Sequence, residues 1–311
     1  MGKLCRVGIA LGGGGARGLA HLGVLRMLER ERIPIDLIAG TSIGALVAGV
    51  YVLSPQSDYA IERFRRYLES QEFKKTDLEF LHAHDFEESA RNEGIFRRFA
   101  SFIKKGIFYS QSLMKRSPIS EEDFARNINS LLDDVDIQQT KIPLAVIALD
   151  LHRAEEVVIR KGSLRKAVSA SCAIPGILPP VRMDNRELVD GGWIDRVPVR
   201  PLRAMRADMV IAVDVARQLE EVEDLATGLG IVLRTNEISR LALSQWQLEE
   251  ADVVISPEMS TLHWSDFGRM DECLSAGEKA AQEKLDEIKK AVYRKKIQKI
   301  FCFPFRRFSV S

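Results

Sequence analysis

The sequence predicts an α/β fold, a three-layer α/β/α sandwich around a mainly parallel central sheet. Short apolar runs that suit buried strands alternate along the chain with segments of helical periodicity. Such alternation is typical of a parallel sheet that helices cover on both faces. The 311 residues are 46% hydrophobic and 29% charged, which is enough apolar material to build one large domain.

The predicted elements follow from the periodicity of the apolar residues. The chain starts with strands at 7–11 and 35–39, each followed by a helix, at 19–30 and 43–52. A charged helix is expected at 58–70, strands at 142–149 and 156–159, and a short helix at 164–171. Further on, strands at 209–215 and 252–256 flank a helix at 225–248, and one long amphipathic helix covers 271–300.

This pattern divides the chain into a core and attached parts. Residues 1–215 form the predicted core, which a polar, helix-rich insertion interrupts at about 71–129. Residues 216–300 are expected to complete the same domain with helices and a strand. Residues 301–311 form a basic aromatic tail.

A candidate nucleophile lies in the segment Gly40-Thr41-Ser42-Ile43-Gly44, between a short apolar run and a helix that is apolar all round. A Gly-x-Ser-x-Gly segment exposes its hydroxyl when a strand leads into the Ser and a helix leaves it. Gly40 and Gly44 permit the close backbone approach that such a turn needs. We therefore predict that Ser42 is a nucleophile. The alternative is an ordinary strand-to-helix turn capped by Thr41 or Ser42.

A glycine run from Gly12 to Gly18 directly follows the first predicted strand. Residues 13–18 also satisfy Gly-x-Gly-x-x-Gly, the dinucleotide-binding pattern, and the flanking strand and helix fit that interpretation. That pattern expects an acidic residue at the end of the second strand, where this chain has Gly40-Thr41-Ser42. Successive glycine amides at the start of a helix suit either a phosphate or a developing oxyanion, and the neighbouring Ser favours the oxyanion.

The candidate base is Asp190, which the apolar pair Leu188-Val189 precedes and Gly191-Gly192 follows. The apolar pair is expected to place Asp190 at the end of a strand, and the glycines allow an immediate turn. The alternative role of Asp190 is that of a turn residue in an Asp-Gly hairpin. Ser42, Asp190 and His263 also follow the order Ser…Asp…His of a triad hydrolase, so a His-dependent mechanism is a second possibility.

The other ionisable candidates receive weaker functional interpretations. His21 is expected to pack or cap on the first helix, and Arg17 either adds positive potential near the site or forms a structural ion pair. The segment His82-Ala83-His84-Asp85 contains the only close histidine pair, and it lies in a polar stretch where this spacing does not suit a metal. We predict no metal ion and no cofactor.

Four ordered motifs resemble the patatin-like phospholipase family, and the resemblance covers roughly residues 5 to 215. They are the glycine run, the Ser42 segment, the stretch Ala170-Ser171-Cys172-Ala173-Ile174-Pro175, and Asp190-Gly191-Gly192. The resemblance implies a patatin-like sandwich fold and a Ser–Asp dyad without His, in which Ser42 is the nucleophile and Asp190 the general base. It implies an oxyanion hole in the glycine loop, formed by the backbone of Gly13, Gly14, Gly15, Ala16 and Arg17. Gly18, Gly40, Gly44, Gly191 and Gly192 would support the motifs.

The resemblance further implies a serine lipid acyl hydrolase of the phospholipase or lysophospholipase type. Leu11 stands where plant patatins carry Asp, as is common in bacterial members, and this departure leaves the catalytic assignment intact. Two alternatives remain open at this point. One is an esterase or thioesterase that uses a Ser-Asp-His triad, and the other is a nucleotide-binding or scaffolding protein that lacks turnover.

Composition and charge indicate where the protein is expected to be located and which partners it is not expected to bind. The net charge of +1 argues against a general nucleic-acid binder. The four cysteines lack a paired spacing and no signal-type apolar segment precedes the first predicted strand, so we expect a cytoplasmic protein. No apolar run reaches the length of a transmembrane helix.

Two basic segments suggest peripheral contact with anionic membranes. Residues 95–108 place aromatic and aliphatic side chains at helical spacing among Arg and Lys, although this helix could instead pack on the body. Residues 289–311 contain eight Lys or Arg and no acid, and 301–311 add four Phe. Basic residues with aromatics near a terminus are typical of an interfacial anchor.

Overall fold

A computed structural model describes residues 5–75, 117, 119–216 and 227–301. The helices within these ranges are α1 (Ala20–Arg30), α2 (Ile43–Leu53), α3 (Ser57–Glu69), α4 (Gln71–Lys75), α5 (Glu121–Leu131), α6 (Leu164–Cys172), α7 (Val199–Ala204), α8 (Gly228–Leu248), α9 (Met270–Glu283) and α10 (Leu285–Phe301). The strands are β1 (Val7–Leu11), β2 (Leu37–Thr41), β3 (Leu144–Asp150), β4 (Glu155–Ile159), β5 (Val181–Met183), β6 (Arg186–Asp190), β7 (Met209–Val213) and β8 (Val253–Ile255).

All eight strands belong to one sheet. The five strands β3-β2-β1-β7-β8 run parallel in that order, whereas β4, β5 and β6 pair antiparallel at one side. Alternate residues of each parallel strand face two separate cores. Val7, Ile9 and Leu11 of β1 belong to the larger core, while Ala10 belongs to the smaller one beside α7. Helices therefore cover both faces of a mainly parallel sheet, and the predicted three-layer α/β/α fold is confirmed.

One edge of β3 is shared by two strands that run in opposite directions. Its first half pairs with β2, up to Thr41 opposite Ile147, and its second half pairs with β6, starting at Asp190 opposite Ala148. The other edge of β3 pairs with β4 along residues 146–150. Because β2 and β6 both end at this point of β3, their last residues, Thr41 and Asp190, are neighbours.

Two of the predicted elements differ from the structure in ways that matter for the fold. The second strand starts two residues later than expected, at Leu37, and it runs directly into the turn at Ser42. The single helix predicted for 271–300 is wrong, because a turn at Lys284 interrupts it and separates α9 from α10. α9 packs on α1, while α10 packs on β7 and β8.

The predicted insertion at about 71–129 is described only at its two ends, by α4 and α5. Residues 76–116 and 118 lie outside the described residues. Strand β8 pairs with β7, so the stretch after residue 216 contributes a strand to the same sheet. No helix in the described part of the chain is both long enough and apolar enough to cross a lipid bilayer.

Two glycines allow α1 and α9 to pack closely. A side-chain carbon on Gly277 of α9 would overlap the carbonyl oxygen of Ala20 in α1. In the same way, a side-chain carbon on Gly23 of α1 would overlap the carbonyl oxygen of Leu274 in α9. The two helix backbones therefore meet directly, and neither position has room for a larger residue.

We expect Gly277→Ala to destabilise the protein. Overpacking against backbone atoms costs about 1–3 kcal/mol, which exceeds the roughly 1 kcal/mol that Ala gains over Gly in helix propensity. The midpoint of thermal unfolding should therefore fall measurably. Gly268→Ala is the control, because no atom lies within 4 Å of the added carbon there. Equal midpoints of thermal unfolding for the two variants would contradict the close packing of α1 on α9.

Candidate active site

Ser42 occupies a strained turn between β2 and α2. Its backbone has φ 54° and ψ −125°, a conformation that residues other than Gly rarely adopt. The turn is tight: a side-chain carbon on Gly40 would lie 2.6 Å from the carbonyl oxygen of Gly44. A side-chain carbon on Gly44 would overlap the carbonyl oxygen of Leu11. The strand, sharp turn and helix expected around the Ser42 hydroxyl are therefore present.

Asp190 contacts Ser42 directly. The Ser42 hydroxyl donates a hydrogen bond of 2.6 Å to Oδ2 of Asp190, and the Gly192 amide donates one of 2.7 Å to Oδ1. The Ser42 amide in turn donates to Oγ of buried Ser171, at 2.8 Å. Three separate segments thus fix the hydroxyl and the carboxylate, and no imidazole lies between them.

Burial raises the pKa of the Asp190 carboxyl group. The side chain is 3% exposed, and loss of water raises its pKa to about 6, although the hydrogen bonds from Ser42 and Gly192 and the charges of Arg240 and Arg196 lower it. A carboxyl group with this pKa is mostly ionised at neutral pH and holds a proton more readily than a surface carboxylate. This combination suits a general base.

Arg240 of α8 reaches the turn that follows Asp190. Its Nε donates to the carbonyl oxygen of Gly192 at 3.2 Å, and its guanidinium carbon lies 4.1 Å from the ring centroid of Trp193. Burial, followed by repulsion from Arg196, lowers the pKa of Arg240 to about 10, so the group stays charged at neutral pH. The sequence analysis missed Arg240, because 48 residues separate it from Gly192 in the turn that it contacts.

The glycine loop lies beside the Ser42 turn. A side-chain carbon on Gly13 would be 3.3 Å from Cβ of Ser42. The Gly13 amide already donates to the carbonyl oxygen of Arg196 at 3.0 Å, and the Ala16 amide donates to that of Trp264 at 2.6 Å. Among the described residues, none accepts a hydrogen bond from the amide of Gly14 or Gly15.

The remaining candidates lie around this centre without joining it. His21 is fully buried, its Nε2 lies 2.7 Å from the carbonyl oxygen of Gly12, and burial lowers its pKa to about 4. His263 bonds through Nδ1 to Oγ of Ser265 at 2.6 Å. Arg17 contacts the carbonyl oxygen of Gly14 at 3.4 Å. His21 and Arg17 therefore help to hold the glycine loop.

No group of three or more His, Cys, Asp or Glu side chains that could hold a metal ion occurs in the described part of the chain. The close histidine pair His82 and His84, for which the sequence predicted no metal, lies outside that part.

The comparison with known families agrees with this geometry. The family model described as patatin-like phospholipase matches residues 9–203, a span that includes Ser42, Asp190 and the glycine loop. The chain belongs to the patatin-like phospholipase family. The resemblance drawn from the four motifs is thereby confirmed.

Several curated relatives share this patatin-like region. An uncharacterized NTE family protein of Mycobacterium bovis is 33% identical over 68% of this chain and 49% of its own length. Lysophospholipase NTE1 of Mycosarcoma maydis is 31% identical over 68% of this chain and 10% of its own. A patatin-like phospholipase domain-containing protein of Caenorhabditis elegans is 31% identical over 73% of this chain and 15% of its own length. The chain thus matches half or less of these relatives.

Among solved structures, the crystal structure of VipD from Legionella pneumophila aligns with 91% of this chain and 66% of that chain. The two are 14% identical, and the TM-score is 0.44.

The two basic segments proposed for membrane contact are largely outside the described residues. Residues 95–108 lie there entirely, and of 301–311 only Phe301 is described. Within 289–301, three of the lysines form ion pairs with the body: Lys289 with Glu31, Lys295 with Asp252 and Lys299 with Asp208. These lysines are therefore less available to anionic lipid than the sequence suggested.

Replacing Asp190 by Asn should change how stability depends on pH. Folding raises the pKa of Asp190 from its usual 3.8 to about 6. The protonated carboxyl group therefore contributes its full share to the free energy of unfolding below about pH 4, and this contribution is lost as the pH rises through about 6. From pH 4 to 7.5, Asp190→Asn should therefore gain about 2–3 kcal/mol in the free energy of unfolding relative to wild type.

Urea denaturation at a series of pH values would measure this change. Asp184→Asn, which removes an exposed carboxyl group from a turn, is the control for charge alone. A difference between Asp190→Asn and wild type that stays constant with pH would show that Asp190 is not desolvated as its burial indicates.

Proposed function

We propose that this protein is a serine lipid acyl hydrolase that acts on phospholipid or lysophospholipid esters. The hydrogen bond of 2.6 Å between the Ser42 hydroxyl and Asp190 is the observation that carries the proposal. Family membership supports it, and so does the similarity to proteins named lysophospholipase. Because the chain matches a small part of those relatives, the substrate class belongs to the proposal.

In the first step, Asp190 accepts the proton of the Ser42 hydroxyl as the oxygen attacks the ester carbonyl. A carboxylate is a weak base toward a hydroxyl, so the reaction depends on the raised pKa of Asp190 and on stabilisation of the developing oxyanion. Ser42 is held for this attack by its strained backbone and by the bond from its amide to Ser171. Collapse of the tetrahedral intermediate transfers the proton from Asp190 to the departing alcohol.

The Gly14 and Gly15 amides are the proposed oxyanion donors of the glycine loop. The Gly13 and Ala16 amides already have carbonyl acceptors, so in our proposal they fix the loop and do not bind the substrate. Preorganised donors of this kind commonly contribute about 100- to 1,000-fold in rate each. In the second half of the reaction, water gives a proton to Asp190 and attacks the acyl ester of Ser42. The same proton then returns to the Ser42 oxygen as the fatty acid leaves.

The structure offers less support for the two alternatives. A triad esterase or thioesterase would need an imidazole between Ser42 and Asp190, whereas these residues bond directly and His263 bonds to Ser265. A nucleotide-binding or scaffolding protein would have no need for a strained Ser next to a buried carboxylate. A cytoplasmic location, with reversible contact to membranes that supply the lipid, remains part of the proposal.

The nucleophile can be tested with a fluorophosphonate probe, which labels only an activated Ser. Ser42→Ala should lose both labelling and hydrolysis of a soluble short-chain ester while its thermal unfolding stays close to that of wild type. Ser260→Ala, which removes an exposed hydroxyl far along the chain, is the control and should retain both. Labelling that persists in Ser42→Ala would assign the nucleophile elsewhere.

The dyad predicts different outcomes for Asp190 and His263. Asp190→Asn should lower turnover by about 10²- to 10⁴-fold, because it removes the general base and keeps the shape. His263→Gln should keep most of the activity. Wild-type turnover should also decline below about pH 6, where Asp190 becomes protonated. A folded His263→Gln protein as inactive as Ser42→Ala would favour the triad.

A further inference from the structure

The first half of α8 presents an unusual apolar surface to solvent. Ile231, Val232 and Leu233 are 50%, 63% and 50% exposed, and Ile238 is 51% exposed. From residue 231 to 239 no side chain is buried. Exposed aliphatic residues in such a cluster normally mark a surface that another phase or molecule covers.

The exposed residues do not form one face of the helix. Residues 231, 232 and 233 are consecutive, so they point in directions about 100° apart around the axis. A protein partner, including a second copy of this chain, would cover one face and leave the others in water. A hydrocarbon layer can surround all of them at once, which favours lipid as the occupant.

Two hydroxyls and one ion pair of this half-helix have partners within it. The Thr235 hydroxyl donates to the carbonyl oxygen of Ile231 at 2.8 Å, and the Ser239 hydroxyl donates to that of Thr235 at 3.0 Å. Arg234 and Glu237 lie 3.6 Å apart as an ion pair, so the segment 228–239 has no net charge. Hydroxyls bonded in this way can leave water without losing a hydrogen bond.

The second half of α8 is fixed beside the Ser42–Asp190 pair. Arg240 donates to the carbonyl oxygen of Gly192, and Nε2 of Gln247 donates to that of Ile194 at 2.8 Å. Both acceptors belong to the turn that follows Asp190. A surface that holds the first half of α8 would therefore also hold the catalytic turn near its plane.

We propose that residues 228–239 of α8 dock into the surface of a phospholipid bilayer and bring the Ser42–Asp190 pair to that surface. This proposal rests on the proposed lipid hydrolase function. Docking depends on apolar burial and not on charge, so it should occur on neutral lipid and resist salt. An anchor built on the basic tail would behave in the opposite way.

The test compares binding to phosphatidylcholine vesicles by cosedimentation. The variant Ile231→Gln/Val232→Gln/Leu233→Gln keeps good helix formers and removes three aliphatic side chains, and it should bind at least about tenfold more weakly than wild type. Tyr293→Gln, which removes a 68% exposed aromatic residue from α10, is the control and should bind as wild type does. Wild-type binding should persist in about 0.5 M NaCl.

Activity separates docking from chemistry. The triple variant should hydrolyse a soluble short-chain ester within about twofold of wild type and lose at least about tenfold on phosphatidylcholine vesicles. As a second measurement, a polarity-sensitive fluorophore on Val232→Cys, in a Cys302→Ser background, should shift to the blue when vesicles are added. This reading does not depend on the triple variant.

Equal vesicle binding by wild type and the triple variant, or a fluorophore that does not respond, would overturn the docking proposal. The proposal would also be overturned if the triple variant lost self-association in size-exclusion chromatography and kept its vesicle binding, which would indicate a second copy as the occupant. Wild type that binds vesicles through α8 but hydrolyses no ester would instead refute the proposed function and leave the docking surface intact.

Discussion

The shared edge of β3 is the constraint on which the rest of the site depends. β2 and β6 approach along this edge from opposite directions and end at adjacent positions, opposite Ile147 and Ala148. A further parallel strand would place its last residue about 4.8 Å to the side, in the next position of the sheet. The antiparallel β6 instead brings Asp190 almost in line with β2, and this is why the Ser42 hydroxyl can donate to its carboxylate without a third residue.

Two unfavourable features meet at this point, and the surrounding core holds both. The backbone of Ser42 costs about 1–3 kcal/mol in strain, and ionised Asp190 is kept away from water by its burial. β2 is fully buried and α2 is buried along most of its length, so neither the strand nor the helix can relax to relieve the turn. The fold thus maintains a contact between Ser42 and Asp190 that an isolated strand and helix would not form.

Local patterns predicted much of the site from the sequence. The Ser42 turn, the glycine loop and the strand that ends at Asp190 each depend on a few consecutive residues, so their spacing was sufficient. The fold class followed from the alternation of strands and helices. Two other features depend on residues that are far apart in the chain: the antiparallel pairing of β6 with β3 and the contact of Arg240 with Gly192. A single sequence carries no signal for them. The bond from Ser42 to Ser171 could have been suspected, because Ser171 lies in one of the four motifs.

In the proposed mechanism, some backbone amides of the glycine loop hold the loop in place and others bind the oxyanion. Gly12 and Gly13 donate to carbonyl oxygens of Val213 and Arg196, and Ala16 donates to that of Trp264, which anchors the loop on two sides. The amides of Gly14 and Gly15 lie between these anchors. Donors fixed in advance need no rearrangement when charge develops, so their stabilisation goes to the transition state. The proposed dyad, with its weak carboxylate base, would depend on this more than a triad does, and the short anchored loop next to Ser42 would provide the rigidity that such a base requires.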